Sequence, residues 1–272
     1  MTTPPIALTI AASDPSGGAG IQADLKAFSA NGAYGTAVLT ALTAQNTRGV
    51  TGIHAVPPAF VTEQLDTLLA DVDVDAVKIG MLANAAIAAA VADALERHRP
   101  RNVVLDPVMV STSGHRLLEP DAVTVLRDRL LPLADLITPN LPEAGDLLGV
   151  PAARNRAEAV EQARALLGTG THRVLLKGGH HTHDAESVDI LVDSTTGASV
   201  TELSAPRVTT RNTHGTGCTL SAAIAALRPR HDDWHTAVRA AKEYLTGALR
   251  AADTLRVGHG HGPVHHFHQY WS

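Results

Sequence analysis

Short apolar runs rich in Val, Ile and Leu alternate along this chain with longer segments in which apolar residues recur at helical spacing. Gly, Pro, Asn or Asp separates one kind of segment from the next. Short apolar runs bounded by turn residues are typical of buried strands, whereas recurrence at i, i+3 or i+4 indicates a helix packed by one face. The alternation predicts an α/β fold in which helices cover a mostly parallel sheet.

The first predicted unit is a strand over residues 6–12, a glycine-rich turn over residues 13–20 and a helix in which Ile21, Leu25 and Phe28 share one face. Further strands are predicted at residues 37–42, 76–79, 103–105, 136–138, 174–176 and 188–192. Further helices are predicted at residues 58–69, 84–97, 120–130, 143–148, 155–167, 216–227 and 234–255.

Open parallel sheets bind ligands beyond the carboxyl ends of their strands, so the residues directly after each apolar run are the candidates for chemistry. Here those residues are polar and varied, and we expect them to converge on one edge of the sheet. They are Asp14, Gln45, Asn46, Gly80, Met81, Asp106, Asn140, Glu143, Lys177 and Gly178.

Composition narrows the class of protein. The 272 residues are 44% hydrophobic, which permits a sizeable core, and we expect a single domain over residues 1–272. A net charge of -5 without a cluster of Lys and Arg argues against a nucleic-acid partner. The start lacks the basic region of a secretory signal, and the most apolar stretch, residues 79–92, is too short to span a bilayer. We therefore expect no membrane partner and a cytoplasmic protein, which a single cysteine also suits.

Two glycine-rich segments are candidates for phosphate binding. The chain contains no G-x-x-x-x-G-K-[ST] pattern, and residues 16–20 lack the G-x-G-x-x-G spacing of a dinucleotide fold, which disfavours both a P-loop protein and a nicotinamide oxidoreductase. Gly215-Thr216-Gly217-Cys218 directly precedes a helical run, so free N–H groups at the helix start would face an anion. The alternative is that Gly215 and Gly217 only form a turn before a surface helix.

Cys218 would sit at the positive end of that helix, where the thiolate is favoured over the thiol. The alternative is a small buried residue that packs the helix onto the sheet.

Seven motifs in chain order resemble those of the hydroxymethylpyrimidine/phosphomethylpyrimidine kinases of thiamine biosynthesis, which belong to the ribokinase-like superfamily. The resemblance extends from Leu8 to the last residues. The motifs are residues 12–24 (ASDPSGGAGIQAD), 43–49 (TAQNTRG), 78–81 (KIGM), 137–143 (ITPNLPE), 177–180 (KGGH), 212–218 (NTHGTGC) and 260–266 (GHGPVHH).

This resemblance implies a three-layer α/β/α ribokinase-like sandwich, a homodimer, and ATP and Mg²⁺ as cofactors. It implies transfer of the γ-phosphoryl group of ATP to 4-amino-5-hydroxymethyl-2-methylpyrimidine and then a second transfer to the monophosphate. Phosphoryl transfer depends on positioning and charge stabilisation, so the site must supply anion donors, an acid that holds the metal and an aligned hydroxyl.

The resemblance places the anion hole at the backbone of Gly215, Thr216, Gly217 and Cys218. Most ribokinase-like sugar kinases have an aspartate general base at the last of these positions, whereas the resembled pyrimidine kinases have cysteine. It implies that Cys218 accepts the proton of the substrate hydroxyl, and the alternative is that Cys218 only orients that hydroxyl.

For the substrate ring, the resemblance points to Asp24 and Gln45, since a carboxylate and an amide can read an amino donor beside ring-nitrogen acceptors. A solvated carboxylate on the first helix is the alternative for Asp24.

Gly80 belongs to the same expected substrate site, in which Met81 and Val108 would cover the ring faces. Core filling is the alternative for Met81. The family usually has glycine where this chain has Ala12, and the added methyl group bears on the fit of the substrate.

The Asn-x-x-Glu pattern at Asn140 and Glu143 matches the superfamily motif linked to magnesium and phosphate. Glu143 would act through metal-bound water, with Asp106 as a second contributor. A turn before Pro107 is the alternative for Asp106.

Lys177, at a strand end beside Gly178 and Gly179, would neutralise the triphosphate, and Thr216 is a further expected nucleotide contact. Lys242 would contact the nucleotide or a substrate phosphate. The alternatives are a loop-capping role for Lys177 and a solvated helix position for Lys242.

The histidine-rich end, residues 258–268, alternates with Gly and Pro and offers no helical pair of ligands, so we expect no structural zinc there. Two rival functions stay open. A pyridoxal or pyridoxine kinase would share the fold and the motifs, and a pyrimidine-binding sensor would not need Asn140, Glu143, Lys177 and Cys218 together.

Overall fold

The computed structural model describes residues 3–110, 119–179 and 185–271. Its strands are β1 (Ile6–Ser13), β2 (Tyr34–Asn46), β3 (Gly49–Ala55), β4 (Ala76–Ile79), β5 (Val103–Leu105), β6 (Leu136–Ile137), β7 (Arg173–Leu176), β8 (Glu186–Asp193) and β9 (Ser199–Pro206). Its α-helices are α1 (Gly20–Ala30), α2 (Pro58–Leu69), α3 (Ala85–His98), α4 (Pro120–Val125), α5 (Leu141–Leu148), α6 (Arg156–Leu167), α7 (Thr216–Leu227) and α8 (Trp234–Arg250).

These strands form one sheet in the order β3-β2-β1-β4-β5-β6-β7-β8-β9. The central pairs from β2 through β1, β4, β5 and β6 to β7 are parallel. The pairs β2–β3, β7–β8 and β8–β9 are antiparallel. The mostly parallel, helix-covered sheet predicted from the sequence is therefore confirmed.

Helices cover both faces because the central strands bury side chains on both sides. In β5, Val103 and Leu105 belong to one core cluster and Val104 to the other, as the two-residue period of a strand requires. Helices α2 to α6 supply side chains to the first cluster, and α1, α7 and α8 supply them to the second. The result is three layers with a hydrophobic core on each side of the sheet.

The chain reverses its direction of travel across the sheet at β1. It first adds β2 and β3 on one side and then crosses back to add β4 on the other. Such a switch point opens a crevice at the carboxyl ends of the two strands, and here β1 ends at Ser13 and β4 at Ile79.

The sequence patterns missed β3 and β9, and both are edge strands. In β3 only Val50 is buried, and the central residues 51–54 are exposed. The strand therefore has no run of buried apolar residues by which the sequence could reveal it. The helix predicted over residues 234–255 ends at Arg250, and the one predicted over residues 120–130 changes to a π-helical turn at Leu126–Leu130. No helix within the described ranges is long and apolar enough to cross a membrane.

Candidate active site

A cavity of about 730 Å³ lies at the carboxyl ends of the parallel strands. It extends from the end of β1 past the residues that follow β4, β5, β6 and β7 to the first turn of α7 and the side of α8. The predicted convergence of the strand ends therefore holds for most of the candidates, whose side chains or backbone line this one space.

The first turn of α7 forms one wall of the cavity. Gly215 precedes it in the left-handed conformation, with φ 76°, and a Cβ there would lie 1.7 Å from the carbonyl oxygen of Gly18. Only glycine fits that position, because both the dihedral angle and the space exclude a side chain. A Cβ on Gly217 would lie 3.3 Å from Lys177 Nζ and 3.4 Å from Asp106 Oδ2, so the backbone at Gly217 directly faces both charged groups.

The backbone amides of this turn are mostly unpaired. Within the described residues, no protein group accepts a hydrogen bond from the N–H of Gly215, Gly217 or Cys218. The N–H of Thr216 donates to the carbonyl of Thr213 at 3.2 Å, which corrects its predicted place in the anion hole. The free amides point along a helix N-terminus, which favours an anion.

Cys218 is half-buried and lines the same cavity. Burial raises the pKa of its thiol to about 11, although the Lys78 ammonium and the backbone N–H of Gly20 lower it. The sequence-based expectation that the helix start favours the thiolate is therefore wrong for the ligand-free protein. Loss of solvation on burial is the largest cause of this shift, and the carboxylates of Asp24 and Asp106 add to it.

Lys177, Asp106 and Glu143 form a charged cluster opposite the α7 turn. Lys177 Nζ lies 2.8 Å from Asp106 Oδ1 and 3.9 Å from Glu143 Oε2. The Thr138 hydroxyl donates to the same Asp106 oxygen at 3.0 Å. Burial opposes the charge on Lys177, but the two carboxylates raise the pKa of the ammonium well above its usual range. Lys177 is thus a fixed cation in the cavity wall.

Asn140 and Glu143 also have a structural role that their spacing predicts. Asn140 Oδ1 accepts the Glu143 N–H at 2.9 Å, and Glu143 Oε2 accepts the Asn140 N–H at 2.7 Å. This reciprocal capping box fixes the start of α5 at the cavity. Burial raises the pKa of Glu143 to about 7, and Lys177 opposes that rise.

Apolar side chains and one amide line the end of the cavity next to β1. Met81 is buried and packs with Ala12, while Val108 packs against the pair from the loop after β5. Met81 therefore fills part of the core and also lines the cavity, so it could do both what the sequence predicted for a ring-covering residue and what the core-filling alternative requires. The Gln45 carboxamide lies beside Thr43 and His214, with Oε1 3.1 Å from Thr43 Oγ1 and Nε2 3.4 Å from His214 Nε2.

Asp24 and Gly80 are not among the residues that line the described cavity, but both contact Lys78, which does. Asp24 is completely buried, so the solvated-carboxylate alternative is wrong. Its Oδ2 accepts from Lys78 Nζ at 2.8 Å and from Thr9 Oγ1 at 2.6 Å, and its Oδ1 has no partner in the described residues. A Cβ on Gly80 would lie 2.6 Å from Lys78 Nζ, so glycine there makes room for the lysine. Substrate contact by Asp24 and Gly80 stays a prediction.

Lys242 lies at the far end of the cavity and is buried. Its Nζ donates to Asp189 Oδ2 at 2.7 Å and to the Ser187 carbonyl at 3.0 Å. The solvated alternative is wrong because this ion pair is enclosed between α8 and β8. Asp189 also accepts the N–H of Gly178 at 2.9 Å, which links Lys242 to the Lys177 loop.

Sequence reasoning listed Asp14 only as a strand-end candidate and gave no role to Lys78 and His214, and all three line the cavity. His214 Nε2 lies 2.7 Å from Asp14 Oδ2, and the pair joins the loop after β1 to the loop before α7. The signal was present, since all three residues belong to the quoted motifs. Nothing in the sequence shows that residues 200 positions apart meet.

The histidine-rich end packs against the rest of the protein. His265 and His266 are buried, and His266 Nε2 lies 3.0 Å from the Thr219 hydroxyl of α7. Among the described residues, no group of three or more His, Cys, Asp or Glu side chains could hold a metal ion. His180, the last residue of the 177–180 motif, lies outside the described residues.

Residues 14–265 match the phosphomethylpyrimidine kinase family. The chain belongs to that family. It is 58% identical to the hydroxymethylpyrimidine/phosphomethylpyrimidine kinase of Escherichia coli (strain K12) over 265 residues, which cover 97% of this chain and 98% of the relative. The resemblance stated from the seven motifs, and with it the assignment to the kinases, is confirmed.

Solved structures of the same family and of a related vitamin kinase share the fold. A phosphomethylpyrimidine kinase from Clostridium difficile 630 superposes with a TM-score of 0.79 at 39% identity, covering 90% of this chain and 99% of that one. An ADP complex of Bacillus subtilis pyridoxal kinase superposes with a TM-score of 0.90 at 34% identity, covering 99% and 100%. The expected ribokinase-like sandwich is confirmed by these neighbours.

Proposed function

We propose that this chain transfers the γ-phosphoryl group of ATP to the hydroxymethyl oxygen of 4-amino-5-hydroxymethyl-2-methylpyrimidine, and a second phosphoryl group to the resulting monophosphate. The observation that carries the proposal is the meeting, in one cavity, of the free amides at Gly217 and Cys218 with Lys177 and an apolar end at Met81. The high identity to a relative of that name supports the choice of substrate.

The cavity divides into an acceptor end and a donor end. Gln45, Met81 and Val108, which line the cavity next to β1, would hold the pyrimidine ring. Lys242 and the neighbouring part of α8, at the other end of the cavity, would face the nucleotide. The α7 turn lies between the two, where the transferred group must pass.

In the transfer, the substrate oxygen attacks the γ-phosphorus as the bond from that phosphorus to the bridging oxygen of ADP breaks. Negative charge on the transferred group would meet the N–H groups of Gly215, Gly217 and Cys218 and the Lys177 ammonium, which are already in place before the reaction. The substrate hydroxyl gives up its proton, and we assign the thiolate form of Cys218 to accept it; this is the minor form at neutral pH, because burial raises the pKa of the thiol to about 11.

Mg²⁺ is bound in proteins by one or two carboxylates together with substrate phosphates, and the carboxylates of Asp106 and Glu143 at this cavity fit that chemistry. When bound, the ion would neutralise phosphate charge. Lys177 contacts both carboxylates, so it would share them with the metal.

The test is incubation of the protein with ATP, magnesium and hydroxymethylpyrimidine, followed by mass analysis that separates monophosphate from diphosphate. We expect both products. Absence of both would reject the catalytic reading, and binding of the pyrimidine without turnover would support the sensor instead.

Pyridoxal is a second candidate substrate, because pyridoxal kinases are among the solved structures with high TM-scores to this chain. Parallel ATP-consumption assays with hydroxymethylpyrimidine, its monophosphate and pyridoxine decide between them. A higher kcat/KM for pyridoxine would overturn the choice of a pyrimidine.

A single domain and a homodimer also remain proposals. One continuous sheet supports the first. Light scattering on the purified protein tests the second, and a monomeric mass would reject it.

A further inference from the structure

The histidine-rich C-terminal segment, residues 258–268, has no part in the proposed reaction, yet it contacts the chain before the α7 turn and at its end. Before the turn, the N–H of His214 donates to the Gly262 carbonyl at 3.0 Å, and the Gly262 N–H donates to Asn212 Oδ1 at 3.0 Å. No residue of this segment, all of which the structure describes, lines the cavity. Any effect of the segment on the reaction must therefore act through the residues that it contacts.

At the end of the α7 turn, His266 contacts Thr219. Both side chains are buried, and His266 Nε2 lies 3.0 Å from Thr219 Oγ1. The backbone N–H of Thr219 donates to the Gly215 carbonyl at 2.8 Å. His266 is itself fixed, because its carbonyl accepts the Tyr244 hydroxyl at 2.8 Å. The contact therefore attaches α7, at the residue directly after Cys218, to a fixed point on the C-terminal segment.

The hydrogen in this contact comes from the threonine. Among the described residues, the Thr219 hydroxyl has no other acceptor, so its hydrogen points to His266 Nε2. That nitrogen must then be the acceptor nitrogen of a neutral imidazole. Burial, together with the nearby Lys26 ammonium, lowers the pKa of His266 to about 3, so the ring carries no charge at neutral pH. His266 is thus a fixed hydrogen-bond acceptor on the side of α7 away from the cavity.

The unpaired amides of Gly217 and Cys218 lie between two fixed points. Gly215, at a position that only glycine fits, precedes them, and Thr219, bonded to His266, follows them. Rotation of the helix start about its own axis would break the second contact. An apolar pair of the same volume would fill the space but would not fix the rotation, because burial of apolar surface is not directional whereas a hydrogen bond is.

We propose that Thr219 and His266 are positioning residues, whose hydrogen bond directs the Gly217 and Cys218 amides towards the transferred phosphoryl group. This inference rests on the proposed function. Donors that meet charge developing in the transition state act only if they are in place before the reaction, so a small displacement lowers kcat and leaves KM nearly unchanged. Residues 260–266, a quoted motif to which the reaction itself gives no role, would then support catalysis without contact with the substrate.

The kinetic experiment compares wild type with Thr219→Val, which removes the hydroxyl at nearly constant shape, and with Thr219→Ser, which keeps it. The matched control is Thr171→Val, at a buried threonine before β7 whose hydroxyl donates to the Ala134 carbonyl at 3.0 Å, at the end of the sheet opposite the cavity. We expect Thr219→Val to lower kcat about tenfold with both KM values within about twofold of wild type, and Thr219→Ser to restore most of the loss. Thr171→Val should lower the urea midpoint of unfolding, as Thr219→Val does, but leave kcat unchanged.

Alkylation of Cys218 tests the same point without kinase substrates. Cys218 is the only thiol in the chain, and its thiolate reacts both with iodoacetate, an anion, and with iodoacetamide, which is neutral. The ratio of the two rates therefore does not depend on the fraction of thiolate. Amides directed into the cavity attract the anionic reagent, so we expect the ratio of the iodoacetate rate to the iodoacetamide rate to fall about threefold in Thr219→Val. The ratio should stay unchanged in Thr171→Val.

A kcat of Thr219→Val within about twofold of wild type, a loss that Thr219→Ser does not restore, or an equal loss in Thr171→Val would overturn the proposal. An unchanged alkylation ratio in Thr219→Val would overturn it as well. If wild type shows no turnover but the ratio falls in Thr219→Val, only the proposed function is refuted and the positioning of the amides stands.

A second pair of variants serves if Thr219→Val does not fold. The carboxamide oxygen of His266→Gln can accept the threonine hydrogen, whereas His266→Leu has no acceptor. We expect the wild-type alkylation ratio in His266→Gln and a lower ratio in His266→Leu. Equal ratios in these two variants would overturn the proposal.

Discussion

The buried ion pair between Asp24 and Lys78 tests whether Asp24 stabilises the fold beneath the cavity by pairing with the lysine. Both side chains are completely buried, and Lys78 is one of the largest fully buried side chains among the described residues. Asp24 Oδ2 also accepts the Thr9 hydroxyl at 2.6 Å, so the carboxylate holds two elements together. Asp24→Asn keeps the shape of the side chain and removes its charge.

Removing one partner of a buried pair leaves the other charge without compensation, which costs about 3–5 kcal/mol. We expect Asp24→Asn to lower the free energy of unfolding by an amount in that range. The matched control is Asp66→Asn, which breaks exposed ion pairs with Arg97 and His98 and should cost about 0–1 kcal/mol.

The assay is urea unfolding followed by circular dichroism, with KM for the pyrimidine measured on the same samples. Asp24→Asn within about 1 kcal/mol of wild type, combined with a raised KM, would refute the reasoning, because the carboxylate would then serve the ring and not the lysine. A large loss of stability would explain why a carboxylate is needed at this position whether or not it contacts the substrate.

Three further outcomes follow from the structure. Gly217→Ala places a methyl group 3.3 Å from Lys177 Nζ, so we expect kcat to fall about 100-fold while the free energy of unfolding stays unchanged. The control is Gly52→Ala, whose new methyl group would meet only Ala44 and should leave kcat unchanged. Equal kcat values for the two variants would contradict this prediction. Because burial raises the pKa of Cys218 to about 11, the fraction of thiolate grows with pH throughout the neutral range. If the thiolate is the base, kcat/KM should rise about tenfold per pH unit between pH 7 and 9. A flat pH profile of kcat/KM would argue against a thiolate base. Burial raises the pKa of Glu143 from 4.5 to about 7, so in that window the folded state holds a proton on this group that the unfolded chain has lost. The free energy of unfolding of wild type minus that of Glu143→Gln should therefore fall as pH rises from 4.5 to 7, a comparison that cancels buried His266, whose lowered pKa acts in the opposite direction. Parallel curves would contradict the assignment.

The central sheet could be predicted from the sequence because its strands are buried on both faces. Val103, Val104 and Leu105 are apolar without a break for that reason, and so is the run in β4 apart from Lys78. The edge strands could not be predicted in the same way. In β3 the residues from Thr51 to His54 face solvent, so no burial constrains their side chains.

The strand-end rule brought most of the candidate residues to one cavity, but it gave no information on how they pair. Lys177 with Asp106, Lys242 with Asp189 and His214 with Asp14 join residues 71, 53 and 200 positions apart. Such partners depend on the strand order, which the sequence patterns did not give.

The thiol illustrates a second limit. A helix start favours a thiolate, and that part of the reasoning from the sequence is sound for an exposed group. How much water surrounds Cys218 depends on the packing of Lys78, Asp24 and Asp106 around it, and the resulting desolvation reverses the sign of the shift. The residues next to Cys218 in the sequence do not reveal this loss of solvation.

The most direct test of the site is the turnover of Cys218→Ala with ATP, magnesium and hydroxymethylpyrimidine all saturating. The variant removes the only thiol in the chain and leaves the backbone of the α7 turn in place. If Cys218 accepts the proton of the attacking hydroxyl, kcat should fall by about 100-fold or more. A kcat close to that of wild type would contradict the assignment of Cys218 as the base.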